Sequence, residues 1–117
     1  MKLRIQGNSL RFRLARTEVA CLHDNGQVEY SIGFPGGRKL RYSVTASRSA
    51  AAVSVNYDGD SLDVLLPAAV ATAWAESDDI TIEGSDSGLR ILIEKDFQCI
   101  HKPEDRDPDG YPNPLAC

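Results

Sequence analysis

Four cations near the start of the chain, Lys2, Arg4, Arg11 and Arg13, alternate with apolar residues on either side of a Gly7-Asn8 turn. Alternation at period two gathers side chains of one kind on one face of a strand. The four therefore predict a basic face, the footprint of a partner that carries phosphates or carboxylates. A second candidate lies near the other end, where Cys99 and His101 stand two apart and, on a strand, project to the same side. Thiolate and imidazole suit zinc or a similar metal, and Glu104, Asp105, Asp107, Asp109 and Cys117 are close in sequence. Paired C-x-x-C or H-x-x-H spacings are absent. The plainer alternative is that Phe97, Cys99 and Tyr111 pack on the body while the acids stay solvated, with Pro103, Pro108, Pro112 and Pro114 fixing a strap over a sheet edge.

Enzymatic readings find less to stand on. The only histidines are His23 and His101, and they suggest no Ser–His–Asp set. A thiol enzyme at Cys99 lacks a third orienting group and an oxyanion site. Cys21 reads as a small core residue on a short helix. Gly33–Gly37 lacks the Lys-Ser/Thr of a phosphate loop, and Asp105–Gly110 as a calcium loop is interrupted by Pro108 and has Ala116 where a glutamate is needed. No residue is expected to be catalytic, and no cofactor is expected other than zinc held by Cys99 and His101 in the metal-binding alternative.

The elements that must hold these residues come in two copies. Shifting the chain by 52 positions carries Gly7, Ser9, Leu10 and Leu14 onto Gly59, Ser61, Leu62 and Leu66. In the first copy, alternation predicts strands over Met1–Gln6, with Leu3 and Ile5 inward, and over Leu10–Leu14. A helix follows over Ala15–His23, with Thr17 as N-cap, Val19 and Leu22 on one face, and Asp24-Asn25-Gly26 as the stop. Val28–Ile32 and Leu40–Val44 complete the copy. In the second, Val53–Tyr57 and Leu62–Leu66 are strands, and Pro67 opens a helix in which Val70 and Trp74 share a face. Ile80–Ile82 is placed on Val28–Tyr30, and Leu89–Ile93 on the fourth strand at a spacing of 49. One copy is too small to bury both its apolar face and its strand edges, so the two must pair. The expected organisation is a single domain: copy one 1–45, linker 46–52, copy two 53–95 and a C-terminal strap 96–117.

Charge divides with the copies. Residues 1–52 hold nine Lys/Arg and three Asp/Glu, a net of +6; residues 53–117 hold four and fourteen, a net of −10. Either the first half meets an anionic partner or the halves face and neutralise each other. No apolar run reaches the length of a membrane span, no signal-peptide pattern opens the chain, and three scattered cysteines form no disulfide framework. A cytoplasmic protein is expected.

Gly7-Asn8-Ser9, Arg13 and Leu14, matched by Gly59, Ser61, Leu66 and Pro67, resemble the swapped-hairpin unit of the AbrB/MazE type of bacterial transcription factors and antitoxins. That family's motif runs G-N-S, a short strand ending in R-[IL]-P, a helix and two strands; here Ala15 stands where the first proline would be. The resemblance implies a mainly β fold with two short helices, a tandem-duplicated single-chain pseudo-dimer barrel. It also implies DNA contact through Lys2, Arg4, Arg11 and Arg13. The second copy places Asn56, Asp58, Asp60 and Asp63 at the corresponding positions, which disfavours two symmetric half-sites. The ending K-D-F-x-C, an acidic stretch and an aromatic-P-N-P also resembles a small uncharacterised bacterial family of no known activity. The expectation is a non-enzymatic binding or regulatory protein, monomeric as a pseudo-dimer, engaging a protein or nucleic-acid partner through the basic hairpin. A metal-binding protein using Cys99 and His101 is the alternative.

Overall fold

The computed structural model describes residues 1–97 and 109–111. It contains β1 (Lys2–Gln6), β2 (Ser9–Leu14), α1 (Arg16–Asn25), β3 (Gln27–Gly33), β4 (Lys39–Ser47), β5 (Ser54–Asp58), β6 (Ser61–Pro67), α2 (Ala68–Glu76), β7 (Thr81–Asp86) and β8 (Leu89–Lys95). Strand–turn–strand–helix–strand–turn–strand thus occurs twice. Gly7 and Gly59 turn the first hairpin of each half at φ 55° and 59°, a region closed to most side chains. β4 runs on to Ser47 and β5 starts at Ser54, so the connection between the halves begins two residues later than the composition of 46–52 suggested.

The strands form two four-stranded sheets, ordered β1-β2-β8-β7 and β3-β4-β6-β5. Each sheet takes one hairpin from each half, joined at its centre by a parallel pair, β2–β8 or β4–β6. Neither sheet is closed into a barrel, which corrects the expected architecture. Among the described residues each sheet keeps two edges with no further strand, and the core lies on the sheets' apolar faces.

The two halves repeat down to single hydrogen bonds. Arg41 N–H donates to Asp60 O at 2.8 Å, and Arg90 N–H donates to Asn8 O at 3.1 Å. Ala46 N–H donates to Gly26 O at 2.9 Å, and Lys95 N–H to Ile80 O at 3.0 Å. Ile80 therefore stands where Gly26 does and Ile82 where Val28 does, 54 positions apart rather than 52. The cause is the helix end. Gly26, at φ 78°, turns α1 straight into β3, whereas Ser77 leaves α2 in an extended conformation and the chain needs Asp78–Ile80 to reach β7.

The alternation of β2 and β6 is realised in full: Leu10, Phe12 and Leu14, and Leu62, Val64 and Leu66, are buried. Val28, Val44, Ile82, Ile91 and Ile93 face them from the other strands. Each such side chain contributes about 1.5–3 kcal/mol on burial. Leu22 and Trp74 seal the core from α1 and α2, and Trp74 Nε1–H donates to Ile80 O at 3.0 Å.

Four local expectations need correction. Ile5 is 68% exposed, because β1 outruns the core and its far end forms a hairpin tip; Tyr57, its counterpart, is 70% exposed. Val70 faces solvent, and Ala71, three residues before Trp74, is its buried partner. The N-cap of α1 is Ala15, not Thr17: the Glu18 carboxylate reaches back to accept the Ala15 N–H at 2.7 Å and also meets the Met1 amine. Burial alone would push the Glu18 carboxyl up, but those hydrogen bonds outweigh it and hold it below its ordinary value. Pro67 ends β6 and caps α2 rather than occupying its first turn. Cys21 does pack, half-buried, against the core.

Candidate functional site

β1 and β2 pair with Lys2 opposite Arg13 and Arg4 opposite Arg11. The apolar partners Leu10, Phe12 and Leu14 take the inner face, so the four cations share the outer one. Like charges directly opposite each other are destabilising, and the second half relieves part of the repulsion. Lys2 Nζ lies 2.9 Å from Asp96, and Arg11 Nε lies 2.7 Å from Glu94 in the neighbouring β8. The Arg11 side chain is only 26% exposed and Glu94 17%, so this pair is tied into the sheet. Among the described residues no carboxylate pairs with Arg4 or Arg13. Arg90 stands beside Ser9 across β2–β8 and extends the face, its Nε 2.8 Å from Glu83. Sequence reasoning missed Arg90, since only the pairing of β2 with β8 brings it there.

The corresponding face of the other sheet has opposite character. Arg41 lies at its centre, 2.5 Å from Glu29 and 2.9 Å from Asp63, and the buried Ser43 hydroxyl donates to Asp63. At the adjoining turn Arg38 lies 2.5 Å from Asp60. Lys2–Asp96, Arg11–Glu94, Arg38–Asp60 and Arg41–Asp63 all join the basic first half to the acidic second. The charge asymmetry of the sequence is thus partly consumed inside the fold.

The longer α2–β7 connection has another effect. It opens a groove of about 750 Å3 between α1 and the end of α2, floored by Leu14, Val19, Ile80 and Phe97, with His23 and Glu76 at the rim. His23 Nδ1 is 3.0 Å from Asp24, and Nε2 is 3.8 Å from Glu76. The hydrogen bond from Asp24, opposed by desolvation and helped by the charge of Glu76, raises the imidazole pKa above its ordinary 6.5. A raised folded-state pKa adds stability that is complete below about pH 6.5 and lost as pH rises through the folded value. The wild type is therefore expected to lose a small increment of thermal stability as pH rises above about 6.5, and His23→Gln to show a flatter profile. Identical profiles for the two would refute the coupling.

No group of three metal-ligating side chains occurs among the described residues. Cys99 and His101, the expected metal and thiol candidates, lie outside the described residues. Among the described residues no helix is long and apolar enough to cross a membrane.

No curated protein and no solved structure matches the chain. A family model does, over residues 1–115, and its extent takes in both copies and nearly all of the C-terminal extension. The chain belongs to this family, a family of unknown function designated DUF7009.

Proposed function

We propose that this protein is a non-enzymatic, cytoplasmic binding protein that engages nucleic acid through the outer face of the β1–β2 hairpin. The observation that supports this most is that Arg4 and Arg13, which among the described residues have no carboxylate partner, are held beside Lys2 and Arg11 on one hairpin. Residues two apart on one strand are about 7 Å apart, so the four cations form a compact cluster able to meet several phosphates. The same reading takes the chain as a single-chain counterpart of the swapped-hairpin dimers of AbrB/MazE type. The mixed strand order and the matched hydrogen bonds of the two halves support that. Such a duplication keeps only one basic hairpin, because Asn56 and Asp63 stand where Arg4 and Arg11 do. Binding is then one-sided and needs no palindromic site.

Fluorescence anisotropy with labelled duplex and single-stranded oligonucleotides tests the proposal. Binding is expected at about 50 mM salt and to weaken steeply by about 200 mM. The Arg4→Ala, Arg13→Ala double variant is expected to lower the salt slope by about 2, one per lost phosphate contact. Absence of binding at low salt, or an unchanged slope in the double variant, would sink the proposal.

A further inference from the structure

Among the described residues β3 is an edge strand, paired with β4 on one side and with no strand on the other, where the Cys21 thiol donates to the Gln27 carbonyl at 3.4 Å. The direction of its backbone groups follows from two flanking hydrogen bonds. Phe34 N–H donates to Arg38 O at 2.7 Å, and Ala46 N–H donates to Gly26 O at 2.9 Å. Even-numbered residues of β3 therefore turn their amide and carbonyl toward β4. The alternation of an antiparallel ladder points those of Gln27, Glu29, Ser31 and Gly33 outward. All four of these residues are exposed.

The other three edges are shorter or better guarded. β1 has five residues and carries Lys2 and Arg4; β5 has five and ends in Asp58. On β7, a Cβ at Gly84 would lie 2.7 Å from the Val53 Cβ, so Val53 sits directly on the strand, and Asp86 accepts the Val55 N–H at 3.0 Å. The positions equivalent to Gly84 and Asp86 in β3 are Tyr30 and Ile32, 42% and 51% exposed, followed by Phe34 at 51%. β3 has seven residues, no proline and no lysine, and its one charge, Glu29, lies 2.5 Å from Arg41. Native proteins commonly blunt such an edge with charges, prolines or short strands, and of these devices β3 has only Glu29, itself held by Arg41.

We propose that the β3 edge is a homodimer interface, in which two copies of the chain pair antiparallel about Tyr30 into one continuous eight-stranded sheet. This register is singled out by the strand's own sequence. Centring on Tyr30 makes hydrogen-bonded pairs of Glu29 with Ser31 and of Gln27 with Gly33, using outward-facing groups throughout. Centring on Glu29 would set carboxylate against carboxylate, and centring on Ser31 would pair Gln27 with Pro35, which has no N–H to give. In the Tyr30 register the two Tyr30 rings stand side by side in the close, non-hydrogen-bonded position, and Ile32 lies opposite the Val28 position. Each Tyr30 is already stacked on its own Tyr42, centroids 6.3 Å apart, which holds the ring ready. A two-fold arrangement of this kind is self-complementary and closed, so it ends at two copies.

Sedimentation analysis of the full chain from about 5 µM to about 500 µM spans the affinities expected of so small an interface. The wild type is expected to shift from monomer to dimer across that range. Ser31→Pro removes an outward donor without touching the β4 ladder, and Ile32→Lys places a charge at the edge; each should remain monomeric throughout with an unchanged circular dichroism spectrum. Tyr30→Cys should form a disulfide-linked dimer under mild oxidation, above the background of the wild type with its native cysteines. That variant reads the register even if the other two are poorly folded. A wild type monomeric at every concentration, a dimer indifferent to both edge variants, or no cross-link at Tyr30→Cys would each overturn the proposal. Capture of a foreign extended peptide by a chain that stays monomeric would also overturn it.

Discussion

Phe12→Ala is expected to bring the protein to the edge of unfolding. Phe12 is fully buried at the centre of β2, opposite Leu3 on one side and Ile93 on the other. It belongs to the hydrogen-bonded seam where the two halves meet, so the backbone around it cannot easily collapse into the space left behind. Truncating a buried phenylalanine costs about 3–5 kcal/mol, against a total stability on the order of 5–15 kcal/mol for a domain of this size. Val64, its counterpart in β6, is equally buried but smaller. Val64→Ala is expected to cost about 2 kcal/mol, from the smaller volume removed. Urea unfolding of both variants gives the comparison. A Phe12→Ala midpoint within error of the wild type would show that the sheets do not pack as described.

The second large effect is electrostatic. Asp63 accepts from Arg41 Nη2 at 2.9 and 3.1 Å and from the hydroxyl of Ser43, a residue with no exposed surface. Asp63→Ala leaves that hydroxyl without its acceptor in a place water does not reach, and leaves Arg41 with Glu29 and the Ser61 hydroxyl. An orphaned buried hydroxyl costs about 1–3 kcal/mol. The lost ion pair adds less than a fully buried one would, since the Arg41 side chain is 35% exposed. A total of about 2–4 kcal/mol is expected. The control is Asp60→Ala, which breaks the Arg38 pair at 50–74% exposure and should cost about 0–1 kcal/mol. Equal midpoints for the two variants would mean that the Arg41–Asp63–Ser43 cluster is no more than surface charge.

Much of this fold was legible in the chain because its signals are local. Alternation in Leu10–Leu14 and Leu62–Leu66 needs only a buried face and a solvated one, and both strands formed where the pattern placed them. The 52-residue repeat showed that there are two equivalent halves. It could not show how far the core reaches along each strand, and Ile5 and Tyr57 follow the inward pattern while standing beyond the core's end. Nor could it show which strands pair across the halves, since a strand's composition is satisfied by any neighbour that covers the same face. That is why Arg90 was missed and a closed barrel was expected in place of two sheets. The two-residue slip at Ile80 arose because a glycine end and a serine end release the chain in different directions. Of the candidate site, the shared face of Lys2, Arg4, Arg11 and Arg13 was readable from spacing alone. That two of them are held by Glu94 and Asp96 was not, because those acids are remote in sequence.

The central parallel pairs also set the order of events during synthesis. Asn8 Nδ2 donates to Gly88 O at 2.8 Å across 80 residues of chain, and β2 has no second neighbour until β8 exists. The β1–β2 and β3–β4 hairpins are local and can form within about 1–10 µs. Each then waits, with β2 and β4 open along one side, while the rest of the chain emerges at about 5–20 residues per second. A nascent first half therefore spends seconds as two unfinished sheets, and a chain cut after copy one stays that way. Completion is a late, non-local step with the millisecond-to-second folding time of such topologies. The duplication that supplies each half's missing strands also delays them, so the vulnerable species is the half-made protein rather than the finished one.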